Sequence, residues 1–218
     1  GESCLMNHTV SLQLAGEIVH LLPERAVWWP HRDTVFIADP HFGKAATFRH
    51  SGIPVPELAH HADLQRLSNV LHATRATLLV ILGDFLHSRL GADAATKAAL
   101  QAWRNAWPRV HITLIPGNHD RGAGLPGKWL ALECHEEPYS IGPFAACHYP
   151  QTVPDAIVLA GHLHPGVRME SCSAPCFHLT TGCLTLPAFG SFTGFGIVRP
   201  GAATRIFIVD GEEIVELP

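Results

Sequence analysis

Five apolar runs in this chain each stop on a residue able to bind a cation or move a proton. Thr34-Val35-Phe36-Ile37-Ala38 runs into Asp39-Pro40-His41, and Leu78 to Leu82 runs into Gly83-Asp84. Val110 to Ile115 passes through Pro116-Gly117 into Asn118-His119-Asp120. Phe144-Ala145-Ala146-Cys147 leads to His148, and Ile157 to Ala160 leads to Gly161-His162-Leu163-His164. Taken singly, each has an ordinary explanation: a turn before Pro40, a helix cap at Asp84, turn chemistry after Pro116-Gly117, a satisfied His148. Taken together they require five coincidences at equivalent positions. Open α/β sheets carry their sites just past the carboxyl ends of strands. The pattern therefore constrains the fold and the chemistry at once.

From Thr34 to Ile115 the strands alternate with helices. Pro56-Glu57 opens a helix whose Leu64, Leu67 and Leu71 recur at helical spacing, and Ala92 to Ala106 forms a second. After residue 138 the texture changes to short strands with Gly/Pro turns, predicted at 144–148, 156–160, 176–181, 194–198 and 204–209. This is βαβαβ followed by a mostly β half, both contributing to one core. The chain is read as a single domain over 1–218, with Met6 the natural start and Gly1 to Leu5 an added remnant.

Apolar residues make up 47% and charged residues 16%, a balance that excludes disorder. No apolar run approaches the roughly 20 residues that span a bilayer, and no secretory signal is visible. A cytoplasmic protein without membrane contact is expected. The six cysteines form no CxxC pair, so free thiols are expected instead of a zinc ribbon or a disulfide framework. The net charge of −4 argues against a uniformly basic nucleic-acid binder. Residues 31 to 128, however, carry 11 Lys and Arg against 7 Asp and Glu, a local excess that suits an anionic substrate.

The candidate metal ligands are Asp39, His41, Asp84, Asn118, His148, His162 and His164. A set without cysteine does not resemble structural zinc. Seven side chains are too many for one ion with an open position. With Asp84 bridging, they suit two divalent ions about 3.5–4 Å apart, which clamp the attacking and leaving oxygens of an in-line displacement at phosphorus. Mixed imidazole, amide and carboxylate ligands favour Mn²⁺, Fe or Zn²⁺ over Ca²⁺ or Mg²⁺, with Mn²⁺ the expected ion.

The order DPH (39–41), GD (83–84), GNHD (117–120), His148 and GHLH (161–164) resembles the calcineurin-like metallophosphoesterase superfamily. The stretches ADPHFGKAATFRHSGIPVP (38–56), GDFLHSR (83–89) and LPAFGSFTG (186–194) are similar to the bacterial ligase-associated DNA damage response endonucleases, over most of the chain. The resemblance implies an α/β (α+β) fold, a four-layer αββα sandwich of two mixed sheets with a dinuclear centre at the sheet edges. It implies Asp39, His41, Asp84 and His164 on one metal, and Asp84, Asn118, His148 and His162 on the other. It also implies a Mn²⁺-dependent DNA endonuclease or phosphodiesterase of DNA repair, acting on single-stranded DNA beside a DNA ligase and a helicase. A homodimer is left open.

In the expected reaction a metal-bridging hydroxide attacks phosphorus, and His119 stabilises the developing charge or protonates the leaving alkoxide. Lys44, Arg49, Arg89 and Arg121 each follow a ligand block within ten residues and are candidates for phosphate contact, Arg121 foremost. His87 stands where the wider superfamily often has an Asp that orients the His of GNH. It cannot supply a permanent anion, which leaves the orientation of His119 open, and it joins the phosphate and DNA-binding candidates. Two rivals are a small-substrate phosphoesterase on the same centre and a non-catalytic scaffold. Lost ligands would mark the scaffold, and none of the seven is missing.

Overall fold

The computed structural model describes residues 8–53, 59–88 and 93–218. They form two mixed sheets packed face to face. In the first, β1 (Val10–Leu14), β2 (Glu17–Leu22) and β3 (Ala26–Trp29) make an antiparallel meander that joins β4 (Thr34–Ile37). From there β4, β5 (Leu78–Ile81), β6 (His111–Leu114) and β7 (Glu133–Cys134) run parallel. The second sheet holds β8 (Tyr139–Ile141), β9 (Phe144–Ala146), β10 (Ile157–Ala160), β11 (Pro165–Arg168), β12 (Ser173–Thr180), β13 (Cys183–Thr185) and β14 (Gly196–Ile197). Its order is β14-β11-β12-β13-β10-β9-β8, with β15 (Arg205–Asp210) and β16 (Glu213–Glu216) attached through β12.

Residue alternation decides which layer each side chain joins. Val35, Ile37, Leu79, Ile81, Ile112 and Leu114 face outward onto the helices of residues 59–74 and 94–106. Phe36 and Val80 face the other way and meet Phe144, Leu159, Phe177 and Phe207 between the sheets. Strands buried on both faces read as continuous apolar runs, which is why they were legible. Each such side chain contributes about 1.5–3 kcal/mol on burial.

The helices are α1 (Lys44–His50), α2 (Ala59–Thr74), α3 (Ala94–Ala106), α4 (Asn118–Ala123) and α5 (Gly127–Leu130). Leu64, Leu67 and Leu71 form the buried face of α2 as their spacing predicts, and Leu100 and Trp103 do the same for α3. The Asp93 side chain accepts from the Thr96 amide at 2.8 Å and caps α3, whose described residues begin at Ala94. Ala92 and the expected helix opening at Pro56-Glu57 lie outside the described residues.

The fold is thus the expected sandwich of two mixed sheets, with α2 and α3 forming a layer on the first; among the described residues no helix layer covers the second, in place of the fourth layer expected. All described helices precede residue 131, and small apolar clusters cover the outer face of the second sheet. One packs Val153 and Ala156 of the loop before β10, and the other includes Val198 and Leu217. No helix of the described residues is long and apolar enough to cross a membrane. The five cysteines among them are free.

Register then levels the strand ends. Ile37 pairs with Ile81 and Ile81 with Leu114, so Asp39, Asp84 and Asn118 emerge at one edge of the first sheet. In the second sheet Leu159 pairs with Ala146, which brings His148 and His162 to a common edge. A parallel bridge between Ala38 and Ala188 ties the two sheets together beside them.

Candidate metal centre

Five of the seven candidate ligands hold a left-handed backbone: Asp39 (φ 49°), His41 (47°), Asp84 (51°), His162 (69°) and His164 (47°). For a residue with a Cβ this costs about 1–2 kcal/mol, and such strain collects at functional sites. Here it turns the chain sharply as each strand ends. The first two turns run side by side: the amide of Asp39 donates to the Gly83 carbonyl (3.1 Å), and that of His41 to the Asp84 carbonyl (2.9 Å).

The glycine that precedes three of the four later ligand blocks is required by contact. A Cβ at Gly83 would stand 1.9 Å from His148 Nδ1, one at Gly117 2.2 Å from Asp84 Oδ1, and one at Gly161 2.7 Å from Asp39 Oδ2. The GD, GN and GH pairs are therefore the signature of backbone passing close to ligand side chains.

The side chains converge into two groups that share Asp84. Asp39, His41, Asp84 and His164 bring ligand atoms within 4.8 Å of one another, and so do Asp84, His148 and His162. Asp84 Oδ2 lies 3.7 Å from both His41 Nε2 and His148 Nε2. Asn118 Oδ1 joins the second group, 3.3 Å from His148 Nε2. All seven predicted ligands thus meet in one place. A third group, His41, His87 and His119, is continuous with the first through His41.

The donor set fits divalent cations on physical grounds. Asp39 and Asp84 are buried side by side, and Asp39 Oδ1 has no hydrogen-bond partner among the described residues. Burial first, and then the Asp84 charge, push the Asp39 carboxyl well above its usual range. Such a group is costly unless a cation answers it. The ring nitrogens face one another in pairs, His41 Nε2 to His164 Nε2 at 3.3 Å and His148 Nε2 to His162 Nδ1 at 3.2 Å. His148 Nδ1–H donates to the Leu82 carbonyl at 3.1 Å, which leaves the Nε2 lone pair facing the centre. Burial and the neighbouring imidazoles hold His41 down to about 2, so it too presents a neutral ring.

His119 is oriented by a group no motif announces. Its Nδ1–H donates to the backbone carbonyl of His87 at 2.8 Å, and the two rings stack at 5.2 Å. A main-chain oxygen therefore does what a carboxylate at position 87 would do. Asp120 closes the turn: its carboxylate accepts from the amides of Gly117 (3.0 Å) and Leu86 (3.1 Å), and burial raises it to about 6.

The cation candidates separate. Lys44 sits near the centre, half-buried, 5.5 Å from the Phe48 ring centroid, and its charge helps depress His41 and His87. Arg49 keeps a buried Nη1 without a hydrogen-bond partner among the described residues. Arg121, the foremost candidate in the sequence, is instead paired with Glu136 on the surface at 2.5 and 3.3 Å. Arg89 lies outside the described residues.

Tyr149 and Glu137 went unnoticed in the sequence. Glu137 Oε2 accepts from the amides of both His148 (2.5 Å) and Tyr149 (3.0 Å). Tyr149 has one faint signal, its place directly after a ligand.

With the geometry described, comparison with known proteins decides the family. Residues 33–142 match the model for the calcineurin-like phosphoesterase family, and the chain is similar over its length to the crystal structure of the Pseudomonas putida nuclease MPE. That similarity has 36% identity and a TM-score of 0.86, covering 96% of this chain and 100% of that one. The chain belongs to the calcineurin-like phosphoesterase family. A second solved structure, the phosphoesterase Yfce from E. coli, aligns at 13% identity and a TM-score of 0.46, over 84% of this chain and 97% of that one. No curated protein sequence matches. As a calcineurin-like phosphoesterase the chain is a metal-dependent hydrolase of phosphoester bonds that uses divalent ions. The family match ends at residue 142, so His148, His162 and His164 enter the centre on geometry.

Proposed function

We propose that this calcineurin-like phosphoesterase is a Mn²⁺-dependent, dinuclear DNA nuclease and phosphodiesterase of DNA repair, acting in the cytoplasm on single-stranded DNA. One observation carries the reading. Two ligand groups share a buried aspartate, on a chain similar along its whole length to a nuclease. Its setting beside a DNA ligase and a helicase rests on the resemblance to the ligase-associated endonucleases.

Asp39, His41 and His164 would hold one ion, Asn118, His148 and His162 the other, with Asp84 between them. When bound, two such ions supply Lewis acidity toward the phosphate and a nucleophile at neutral pH. The imidazole, amide and carboxylate mixture favours Mn²⁺. With its Nδ1–H tied to the His87 carbonyl, His119 has Nε2 left to serve the substrate. Protonated there, it donates to a nonbridging oxygen or to the leaving alkoxide. Lys44 adds positive charge beside His41 and lowers the cost of bringing a phosphate to the centre.

The deciding experiment incubates metal-free protein with single- and double-stranded DNA across a series of divalent ions. DNA left uncut with Mn²⁺, while a mononucleotide is turned over efficiently, would sink the reading. That outcome would support the small-substrate phosphoesterase, which is favoured by one observation: Arg121 is already engaged by Glu136.

A further inference from the structure

Two of the exposed aromatic rings flank the centre, one beside each half. Tyr149 adjoins the half built on His148 and His162. Its ring centroid lies 4.7 Å from that of His148 and 4.5 Å from that of His162, and its hydroxyl donates to Asn118 Oδ1 at 3.4 Å. Its amide is anchored on Glu137 and its hydroxyl on Asn118, yet the residue remains 40% exposed. Phe192 adjoins the other half, lining a groove with His41, Lys44, Asp63 and Ser191, and is also 40% exposed.

The segment bearing Phe192 is clamped more firmly than an idle surface loop requires. Both the amide and the hydroxyl of Ser191 donate to Asp63, and Arg66 donates to the Phe189 carbonyl. Arg25 donates to the carbonyls of Ala188 (3.3 Å) and Gly190 (3.4 Å). These bonds commit two half-buried arginines to holding a loop whose next side chain faces water. A cation lies beside Phe192 in the same groove, and alternating aromatic and cationic groups are how single strands are held.

We propose that Tyr149 and Phe192 stack the nucleobases on the two sides of the scissile phosphate. The inference rests on the nuclease reading and adds the residues that set its specificity. A ring can stack on a base only where that base's face is free of its stacked neighbour, as along a single strand, so these residues favour unpaired nucleotides over an intact duplex. The cations of residues 31–128 attract the backbone whatever its bases, and stacking adds the part of the binding that depends on unpaired bases.

The test compares kcat/KM of the Mn²⁺-loaded full chain on an oligothymidylate and on a strand of equal length made of abasic residues. The native enzyme should prefer the base-bearing strand by about 10-fold or more. Tyr149→Ala and Phe192→Ala should each cut that ratio by about 5-fold or more, mainly through KM. Tyr149→Phe, which keeps the ring, should preserve the ratio. Alanine variants that lose turnover on both strands in proportion, or lose metal, would show that the rings only prop the ligands, and would overturn the proposal. A native ratio near one would overturn it too, as would a Tyr149→Phe loss equal to that of Tyr149→Ala. If the native enzyme cuts both strands equally, only this inference falls. If it binds and cuts neither, the nuclease reading falls and takes the inference with it.

Discussion

Gly117→Ala separates close approach from backbone strain. Gly117 has φ −90° and ψ −177°, a conformation open to any residue, so alanine brings no torsional penalty. By narrowing the unfolded ensemble it would even stabilise by about 0.4–1 kcal/mol if nothing else moved. The new Cβ, however, would lie 2.2 Å from Asp84 Oδ1, 2.8 Å from the Asp84 amide nitrogen and 2.8 Å from His148 Cε1. Because one of these atoms is backbone, rotating the carboxylate cannot relieve the clash. Asp84 must retreat by roughly 1 Å, while coordination tolerates only about ±0.2 Å. A misplacement of that size costs on the order of 10²-fold in rate. The hydrogen bond from the His119 amide to Asp84 Oδ1, now 3.0 Å, would be lost as well, at about 1–3 kcal/mol. The measurements are metal content after gel filtration, initial rates on a small phosphodiester at fixed Mn²⁺, and a thermal melt. Gly122→Ala, four residues into the same loop's helix where a Cβ meets nothing within 4 Å, is the comparator. A Gly117→Ala protein with a full complement of metal and the native rate would refute the steric argument.

His119→Ala should keep its metals and lose turnover by about 10²–10⁴-fold, recovering partly on substrates with good leaving groups if His119 is the acid. Loss of metal would instead move His119 into the ligand set, as its nearness to His41 permits. Burial, followed by Lys44 and His119, holds His87 down to about 4 from the ordinary 6.5. The unfolded chain therefore takes up that proton first, and the associated stability is present above pH 6.5 and lost as pH falls toward 4. In the metal-free protein His87→Gln should flatten the melting-temperature slope across that window, and an unaltered slope would disprove the assignment. Arg121 is held by Glu136, so Arg121→Ala should leave the salt dependence of oligonucleotide binding nearly intact, whereas Lys44→Ala should reduce its slope by about one. The reverse order would restore Arg121 as the phosphate contact.

The three parallel strands and their ligand blocks were legible because both faces of the strands are buried and their ends lie level. The meander of β1 to β3 was not. Its first hairpin turns on Ala15 and Gly16, both with positive φ (49° and 80°), but alanine stands where Asn or Asp would have signalled such a turn. Helix α1 was missed for a similar reason: its N-cap is Gly43, without a side-chain cap. β12 begins earlier than expected, at Ser173, because Pro175 reads as a strand breaker while in the fold it pairs with Gly166 of the outlying β11. The seven ligands were readable because imidazole, amide and carboxylate side chains carry their chemistry in their identity. The roles of Arg121, Tyr149 and Asp63 were not, since each depends on a partner far away in the chain: Glu136 is 15 residues off and Ser191 128.

Because the oxygen that aims His119 belongs to the main chain, no substitution at position 87 can delete it. Every residue brings the same carbonyl, so a change of side chain there removes the ring stacked on His119 but leaves the hydrogen bond that aims the imidazole. Where a carboxylate does this work, one side chain is bound to one duty and the position cannot be reused. The vulnerability moves elsewhere in the chain. Asp120 pins the turn through the Leu86 amide, directly before His87, so the harmful change lies at Asp120.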